Sequence, residues 1–166
     1  GCGSASTAWE QAATAADTVS LVPAARWLSP VVAPHLTESQ AAAMMHGAFI
    51  PGAEGFDAGA FNVSAAEAGA MDPQQRLLLE VAHEAMHGSG ARRACLAGTD
   101  TGVYLALTNI DYSRAFTSTE SVYSATGGAI SIAAGRLSFV LGLRGPCVSL
   151  DTACSSSLVA LHSASL

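Results

Sequence analysis

Short strands and apolar helices alternate through the second half of the chain, and this alternation constrains the fold more than any other feature. Residues 101–107 alternate in polarity and are rich in Val, Tyr and Leu, which predicts a strand. A helix of small residues follows over about Ala129–Leu137, and then a turn at 142–146. A short buried strand is expected over Cys147–Leu150, and an apolar helix over 155–166. Strands separated by helices are typical of α/β proteins, so we expect that class.

The first half of the chain carries weaker signals. A capping box at residues 7–10 predicts an alanine-rich helix to about Ala16, and a second box at 37–40 begins another brief helix. Between them, residues 17–36 contain three prolines and are expected to form a loop. Residues 49–61 lack a helical period, and we interpret them as loop with a short strand.

The clearest helix follows Asp72. Ser64 is expected to cap a short helical turn before it. Asp72 then serves as an acidic N-cap, and Pro73 takes the first helical position. Apolar side chains recur along one face of this helix, at Leu77, Leu78, Val81, Ala82, Ala85 and Met86. We expect the helix to end near Gly88 and Gly90.

Composition excludes several classes of protein. The chain has 166 residues, enough for one domain; 50% are hydrophobic and 12% charged, which excludes disorder and a solvated coiled coil. Its seven basic residues are all arginine and stand against 13 acidic ones, and the net charge of −6 argues against nucleic-acid binding. Because lysine is absent, a Walker-type or Schiff-base lysine is ruled out.

No segment resembles a membrane span or an export signal. The longest apolar stretch, 129–150, is interrupted by Arg136, Arg144 and Pro146, too soon for the about 20 residues that a membrane helix needs. The cysteines include no CxxC pair, which argues against a zinc ribbon and a disulfide framework; they are Cys2, Cys95, Cys147 and Cys154. A reducing compartment fits better, so we expect an intracellular protein, in the cytoplasm or an organelle such as a plastid.

One candidate site is a pair of histidines on the strong helix. Residues 83–87 match HExxH, in which two histidines one turn apart can hold zinc. Metzincins carry a third histidine where this chain has Arg93, which cannot ligate the metal. An ordinary amphipathic helix explains the same residues. A zinc metalloprotease is therefore a weak alternative, and we expect no tightly bound zinc.

The second candidate is Cys154, where a short strand turns into a helix. The N–H groups and dipole of a helix N-terminus favour the thiolate, and the Cys154 N–H can donate to an oxyanion formed when the sulfur attacks a thioester or ester. This is the cysteine counterpart of a nucleophile elbow. From these residues alone a buried structural thiol carries more weight, because free cysteine is among the most buried residue types.

A cysteine nucleophile also needs a histidine or another polar partner within about 3 Å. His162 lies eight residues further along the same helix, which places it about 12 Å away. The other histidines fall on another helix or in loops, with no sign of a chemical role: His35, His46, His83 and His87. We therefore expect the catalytic histidine to lie outside this chain.

Four segments, in this order, resemble the β-ketoacyl synthase (ketosynthase) domain of type I polyketide synthases. They are DPQQRLLLE at 72–80, SIAAGRLS at 131–138, GLRGP at 142–146 and DTACSSSLVALH at 151–162. Weaker agreement comes from Phe56-Asp57 with Phe61, and from 108–112. The chain departs from the family at His83, Gly128 and Cys147, where Trp, Asn and Ser are usual.

The resemblance implies a thiolase-like αβαβα fold of two similar halves, of which this chain would hold most of the first. Residues 1–166 would form the N-terminal portion of the domain, ending in the helix that bears the active-site cysteine. The family's two downstream histidines and its second oxyanion N–H would lie beyond Leu166. We therefore expect this fragment alone to be inactive in condensation.

The resemblance also assigns Cys154 as the acyl-accepting nucleophile and backbone oxyanion donor. It implies decarboxylative Claisen condensation with a malonyl-type extender, both substrates being carried on the phosphopantetheine of acyl carrier protein, and no metal or redox cofactor. Expected partners are acyl carrier protein, neighbouring megasynthase domains and a second copy that meets strand 147–150. In that dimer the segment around Thr126 would reach the partner's acyl pocket.

Two alternatives share this fold. A type I fatty-acid condensing enzyme carries the same Asp-Pro-Gln-Gln-Arg motif, which does not separate fatty-acid from polyketide use. A non-catalytic ketosynthase-like module could serve dimerisation, although the presence of Cys154 argues against decoys that have lost the cysteine.

Overall fold

A computed structural model describes residues 5–24, 36–109, 112 and 122–166. The chain divides into two compact units, Gly1–Ala53 and Glu54–Leu166. Each unit is described by itself below.

The first unit combines two helices with a small antiparallel sheet. Helix α1 spans Ala5–Ala13 and α2 spans Glu38–Met44. Strands β1, Val19–Leu21, and β2, His46–Ala48, pair antiparallel. Side chains of both strands are mostly exposed, so backbone hydrogen bonds rather than burial define this sheet.

The two predicted capping boxes of the first unit differ in outcome. At α2 the box is confirmed: the Thr37 hydroxyl accepts from the Gln40 N–H at 3.3 Å, and the Gln40 side chain accepts from the Thr37 N–H at 2.9 Å. At α1 the prediction is wrong, because the helix already includes Ala5 and Thr7 lies inside it. A side chain within the first helical turns no longer meets the free N–H groups that a cap satisfies.

The predicted loop at 17–36 is also partly wrong, since it contains β1; residues 25–35 of that range lie outside the described part. Strand β1 is three residues long and pairs with a strand well downstream in the chain. Such a short strand carries no period that a local pattern could reveal.

The second unit contains the elements that carry the family motifs. The helices whose bounds lie within the described residues are α3 (Ala65–Ala70), α4 (Pro73–Gly88), α5 (Arg93–Leu96), α6 (Ser124–Gly127), α7 (Ile130–Leu141) and α8 (Ser156–Ala164). Its strands are β3 (Val103–Ala106) and β4 (Cys147–Leu150), and a 3₁₀ turn occupies Ala153–Ser155.

Most of the predicted helix ends in this unit are confirmed. The Ser64 hydroxyl accepts from the Glu67 N–H, and the Asp72 carboxylate accepts from the Gln74 N–H at 2.8 Å. Helix α7 runs to Leu141, beyond the predicted end, and stops where Gly142 adopts a left-handed φ of 71°. That conformation is easy for glycine and ends the helix.

Strands β3 and β4 pair in parallel, with Val103 opposite Cys147 and Ala106 opposite Leu150. Val103 and Leu105 belong to a core that includes Ala134 and Leu137 of α7. Tyr104 and Ala106 alternate with these two residues along the strand and line a groove with Ala160 and Leu161 of α8. Because neighbouring side chains of a strand face opposite ways, the two helices cover opposite faces of the sheet, and the expected α/β class is confirmed.

Strand β4 has the predicted bounds but is less buried than expected. Cys147 is exposed and the next three residues are half-buried. Within the described residues, β4 pairs only with β3, so its other edge stays open. A sequence pattern reports the apolar character of a strand but not whether a neighbour covers its edge.

The core of the second unit is formed by Phe61, Met71, Leu79, Val103, Leu105, Leu107, Ala133, Ala134, Leu137, Val140 and Leu141. Met71 and Leu79 are its most deeply buried large side chains, at 0% and 1% exposure. Among the described residues, no helix is both long and apolar enough to cross a membrane.

Candidate active site

Cys154 lies in the connection between β4 and α8. Strand β4 ends at Leu150, the 3₁₀ turn begins at Ala153, and α8 begins at Ser156. The predicted strand–turn–helix position is therefore confirmed, with the cysteine in the tight turn just before the helix. The thiol is free and exposed, which removes the alternative of a buried structural cysteine.

The turn before the cysteine is strained. Ala153 has a φ of +55°, a left-handed conformation that costs a residue with a Cβ about 1 kcal/mol. The Asp151 carboxylate accepts a hydrogen bond from the Ala153 N–H at 3.0 Å. Strained backbone at an exposed nucleophile is what a nucleophile elbow requires, because the sharp turn lifts the side chain clear of the sheet.

Ser156 stabilises this turn through hydrogen bonds of its buried side chain. Its side chain is 5% exposed, and its hydroxyl accepts from the Thr152 N–H at 2.8 Å while donating to the Ala153 carbonyl at 2.7 Å. The Ser155 hydroxyl donates to the Thr152 carbonyl at 2.9 Å. These bonds fix the backbone on both sides of Cys154.

The backbone N–H of Cys154 stays available. The hydrogen bonds of the turn use the N–H groups of Thr152, Ala153 and Ser155, and no described group accepts from that of Cys154. An unused N–H on the nucleophile's own residue can stabilise an oxyanion formed at the attacked carbonyl. The site can thus provide a nucleophile and one oxyanion donor.

A second loop emerges beside Cys154. The Leu107 N–H donates to the Leu150 carbonyl at 3.2 Å, so both strands of the parallel pair end at the same edge of the sheet. Asn109 follows β3 there with a φ of +59°, and the Gln74 side chain donates to its carbonyl at 2.9 Å. Sequence reasoning matched Gln74 to a motif but found no role for it.

The next glutamine organises a buried network. Gln75 is 2% exposed, and its side-chain NH₂ lies within hydrogen-bonding distance of three carbonyls that share its two N–H donors, those of Thr126 at 3.3 Å, Gly127 at 3.0 Å and Ala129 at 3.4 Å. Its oxygen accepts from Arg136 Nε at 2.8 Å, and Arg136 in turn pairs with Glu67. We call Glu67, Gln75 and Arg136 the Gln75 network. It ties α3, α4 and α7 to the C-terminal end of α6 and to Ala129, which precedes α7.

Gly127 lies where α6 packs closely against the end of α3. A Cβ at Gly127 would lie 2.0 Å from the Ala70 carbonyl oxygen, so only glycine fits. The Gly127 carbonyl also accepts from the Asp72 N–H at 2.9 Å. The sequence carries a Gly-Gly pair at 127–128, and in the structure its first glycine is the last residue of α6.

Among the described residues, the histidines do not come together with Cys154 in a catalytic or metal site. In the described ranges no histidine hydrogen-bonds Cys154, and no three His, Cys, Asp or Glu residues come together to hold a metal. His83 and His87 lie one turn apart on α4 with ring centroids 6.4 Å apart. His35 lies outside the described residues.

Comparison with known proteins matches the whole chain to one family. The family model for the β-ketoacyl synthase N-terminal domain matches residues 1–166. Phenolphthiocerol synthesis polyketide synthase type I Pks15/1 of Mycobacterium bovis is 53% identical over 116 residues, covering 70% of this chain and 6% of that protein. Erythronolide synthase EryA2 of Saccharopolyspora erythraea is 52% identical over 118 residues, covering 70% and 3%.

Solved structures give the same result. The ketosynthase from module 6 of the bacillaene synthase of Bacillus subtilis superposes with a TM-score of 0.77 and 29% identity, covering 96% of this chain and 26% of that one. The oxazolomycin ketosynthase domain of Streptomyces albus has a TM-score of 0.78 and 30% identity, covering 96% and 28%. The chain thus spans a small share of these curated relatives and about a quarter of these solved ketosynthases.

Proposed function

Because the chain belongs to the β-ketoacyl synthase family and shares the thiolase-like fold of its ketosynthase relatives, we propose that it carries the acyl-accepting site of a polyketide-type condensing enzyme, with Cys154 as the nucleophile. One observation carries the proposal. Cys154 presents an exposed thiol in a strained turn between β4 and α8, and its own N–H has no acceptor among the described residues.

In the proposed loading step, the Cys154 thiolate attacks the carbonyl carbon of an acyl thioester on the phosphopantetheine of acyl carrier protein. A carbon–sulfur bond to Cys154 forms, and the carbonyl oxygen becomes an oxyanion that the Cys154 N–H stabilises. The oxyanion then collapses and the carrier's carbon–sulfur bond breaks. The departing thiolate takes up a proton, and the acyl group stays on the enzyme.

In the proposed condensation, a malonyl-type extender on the carrier loses carbon dioxide, and its carbanion attacks the acyl-cysteine and releases the Cys154 thiolate. A thioester is a soft electrophile and a thiolate is both a good nucleophile and a good leaving group, so this chemistry calls for no resident metal or redox cofactor. The two curated relatives described above are polyketide synthases, which favours polyketide rather than fatty-acid substrates.

The same proposal includes two kinds of partner. Acyl carrier protein would deliver the substrates, and neighbouring domains would belong to the same megasynthase, as in the multidomain relatives. A second copy would meet the open edge of β4, whose N–H and C=O groups on that side have no partner strand among the described residues. Free, exposed thiols at Cys95, Cys147 and Cys154 suit a reducing compartment.

The experiment lets three exposed thiols compete for a limiting amount of reagent. Cys95, Cys147 and Cys154 are all exposed, so accessibility alone does not distinguish them. The chain is treated with a limiting acyl thioester of N-acetylcysteamine, and separately with limiting iodoacetamide, and peptides are identified by mass spectrometry. We expect acylation and alkylation first at Cys154, and loss of acylation in Cys154→Ala. Preferential acylation of Cys95 or Cys147 would overturn the assignment.

A further inference from the structure

The histidine pair of α4 takes no part in the proposed acyl chemistry, yet it has a defined geometry. Two histidines and two glutamates lie along one stripe of this helix, because they follow one another at spacings of three, one and three residues. They are Glu80, His83, Glu84 and His87. Both histidines and Glu84 are exposed, and Glu80 is half-buried. The stripe therefore offers two imidazoles to solvent, each with a carboxylate one turn before it.

The two rings lie near one another on the helix, and a side-chain rotation would bring both to a single ion. Their centroids lie 6.4 Å apart with an angle of 28° between the ring planes, so the rings stand side by side rather than splayed. Phe61, 7% exposed, meets the His83 ring edge-on at 6.0 Å and 87°. This buried aromatic ring restricts the His83 imidazole, which lowers the entropy that a ligand would have to remove on binding.

Neutral imidazole is a preferred ligand of borderline divalent cations such as Zn²⁺ and Ni²⁺. Two imidazoles one helical turn apart can bind a single ion, and the second contact then forms at a high effective concentration. The nearby carboxylates add negative charge that favours a cation. Mg²⁺ prefers oxygen ligands and binds imidazole weakly, so a site built from two imidazoles should favour Zn²⁺ and Ni²⁺ over Mg²⁺.

We propose that His83 and His87 form an open, two-histidine site on the exposed face of α4 that binds Zn²⁺ or Ni²⁺ reversibly, with water in the remaining positions. The site differs from that of a zinc protease, because the described residues supply no third ligand beside the pair. Binding is therefore weak and exchangeable, consistent with the expectation of no tightly held zinc. The proposal does not depend on the acyl chemistry of Cys154.

The test titrates the chain with Zn²⁺, Ni²⁺ and Mg²⁺ by isothermal calorimetry after all thiols are blocked with iodoacetamide, so that cysteine cannot bind the metal. We expect one equivalent of Zn²⁺ or Ni²⁺ to bind and Mg²⁺ to give no heat. His83→Gln and His87→Gln should each weaken binding by about tenfold or more, since each removes one arm of the chelate. Circular dichroism of each variant checks that α4 is intact.

The matched control is His162→Gln, which removes a single exposed histidine from α8. It should leave the affinity unchanged. Equal binding in the wild type and in both α4 variants would overturn the proposal, as would the absence of any Zn²⁺ or Ni²⁺ binding. Mg²⁺ binding as strong as that of Zn²⁺ would also overturn it, because an acidic patch would then explain the result.

Discussion

The Cys154 turn and the Gln75 network are both polar, but they are built in opposite ways. The side-chain hydrogen bonds of the turn join residues at most four positions apart, and its thiol is exposed. The bonds of the network join residues 51 to 69 positions apart, and Gln75 and Arg136 are buried. The Cys154 turn is thus held by hydrogen bonds between near neighbours in the chain, whereas the Gln75 network joins separate helices.

The difference indicates that the turn serves the reactivity of Cys154 and the network serves the stability of the fold. A nucleophile has to remain accessible, so its turn is held by short-range bonds that leave the thiol and its N–H free. Buried polar groups cost free energy unless each finds a partner, and a satisfied buried network specifies one arrangement of the elements around it. We therefore expect substitutions in the network to lower stability strongly, and substitutions in the turn to affect chiefly the reactivity of Cys154.

The largest loss of stability is expected from Gly127→Ala. The new Cβ would lie 2.0 Å from the Ala70 carbonyl oxygen, so the backbone of α3 or α6 must move. We expect the free energy of unfolding to fall by about 3 kcal/mol, as measured by urea denaturation.

Its matched control is Gly69→Ala, which adds a Cβ in the neighbouring helix where nothing lies within 4 Å. This variant should be neutral or more stable by up to about 1 kcal/mol, because alanine favours a helix. Equal free energies of unfolding for the two variants would show that α3 and α6 do not pack tightly at Gly127.

Gln75→Ala should have the next largest effect. It removes the donor for carbonyls of α6 and Ala129 and the acceptor for Arg136 Nε; one of these bonds is buried and the others are partly buried. We expect a loss of about 2 kcal/mol in the free energy of unfolding.

The neighbouring Gln74→Ala is the control, because it removes one exposed hydrogen bond to the Asn109 carbonyl. We expect it to cost about 0.5 kcal/mol. Equal losses at the two glutamines would contradict the division between a buried network and an exposed edge.

Of the three test substitutions, as distinct from their controls, Ser156→Ala in the turn should lose the least stability. This change removes the hydroxyl that bonds the Thr152 N–H and the Ala153 carbonyl, at a cost of about 1 kcal/mol. Because those bonds hold the backbone around Cys154, the rate of Cys154 alkylation should also fall.

Ser157→Ala is the matched control, since Ser157 is exposed and next in the chain. It should change neither the stability nor the alkylation rate. A Ser156→Ala variant that loses stability but keeps the wild-type alkylation rate would show that the Ser156 hydroxyl does not shape the nucleophile's turn.

Much of the local structure was predictable because it depends on neighbouring residues. The N-caps at Thr37, Ser64 and Asp72 are confirmed, since a cap needs only a side chain and the N–H groups two or three residues on. The position of Cys154 between β4 and α8 was predictable for the same reason. The Thr7 cap failed because a sequence can contain a capping pattern inside a helix as well as at its start.

The sequence alone thus determined α4, α7, α8, β3 and β4 of the second unit, which cysteine stands in the turn and which family motifs the chain carries. It missed the short helices α5 and α6, and the short strand expected within residues 49–61 is absent. Only the tertiary structure decided the pairing of β1 with β2, the edge of β4 that has no partner strand among the described residues, and the bonds of Gln75 to the end of α6. Those features join residues far apart in the chain. Their energy comes from burial and from hydrogen bonds between separate elements, which a local pattern does not record.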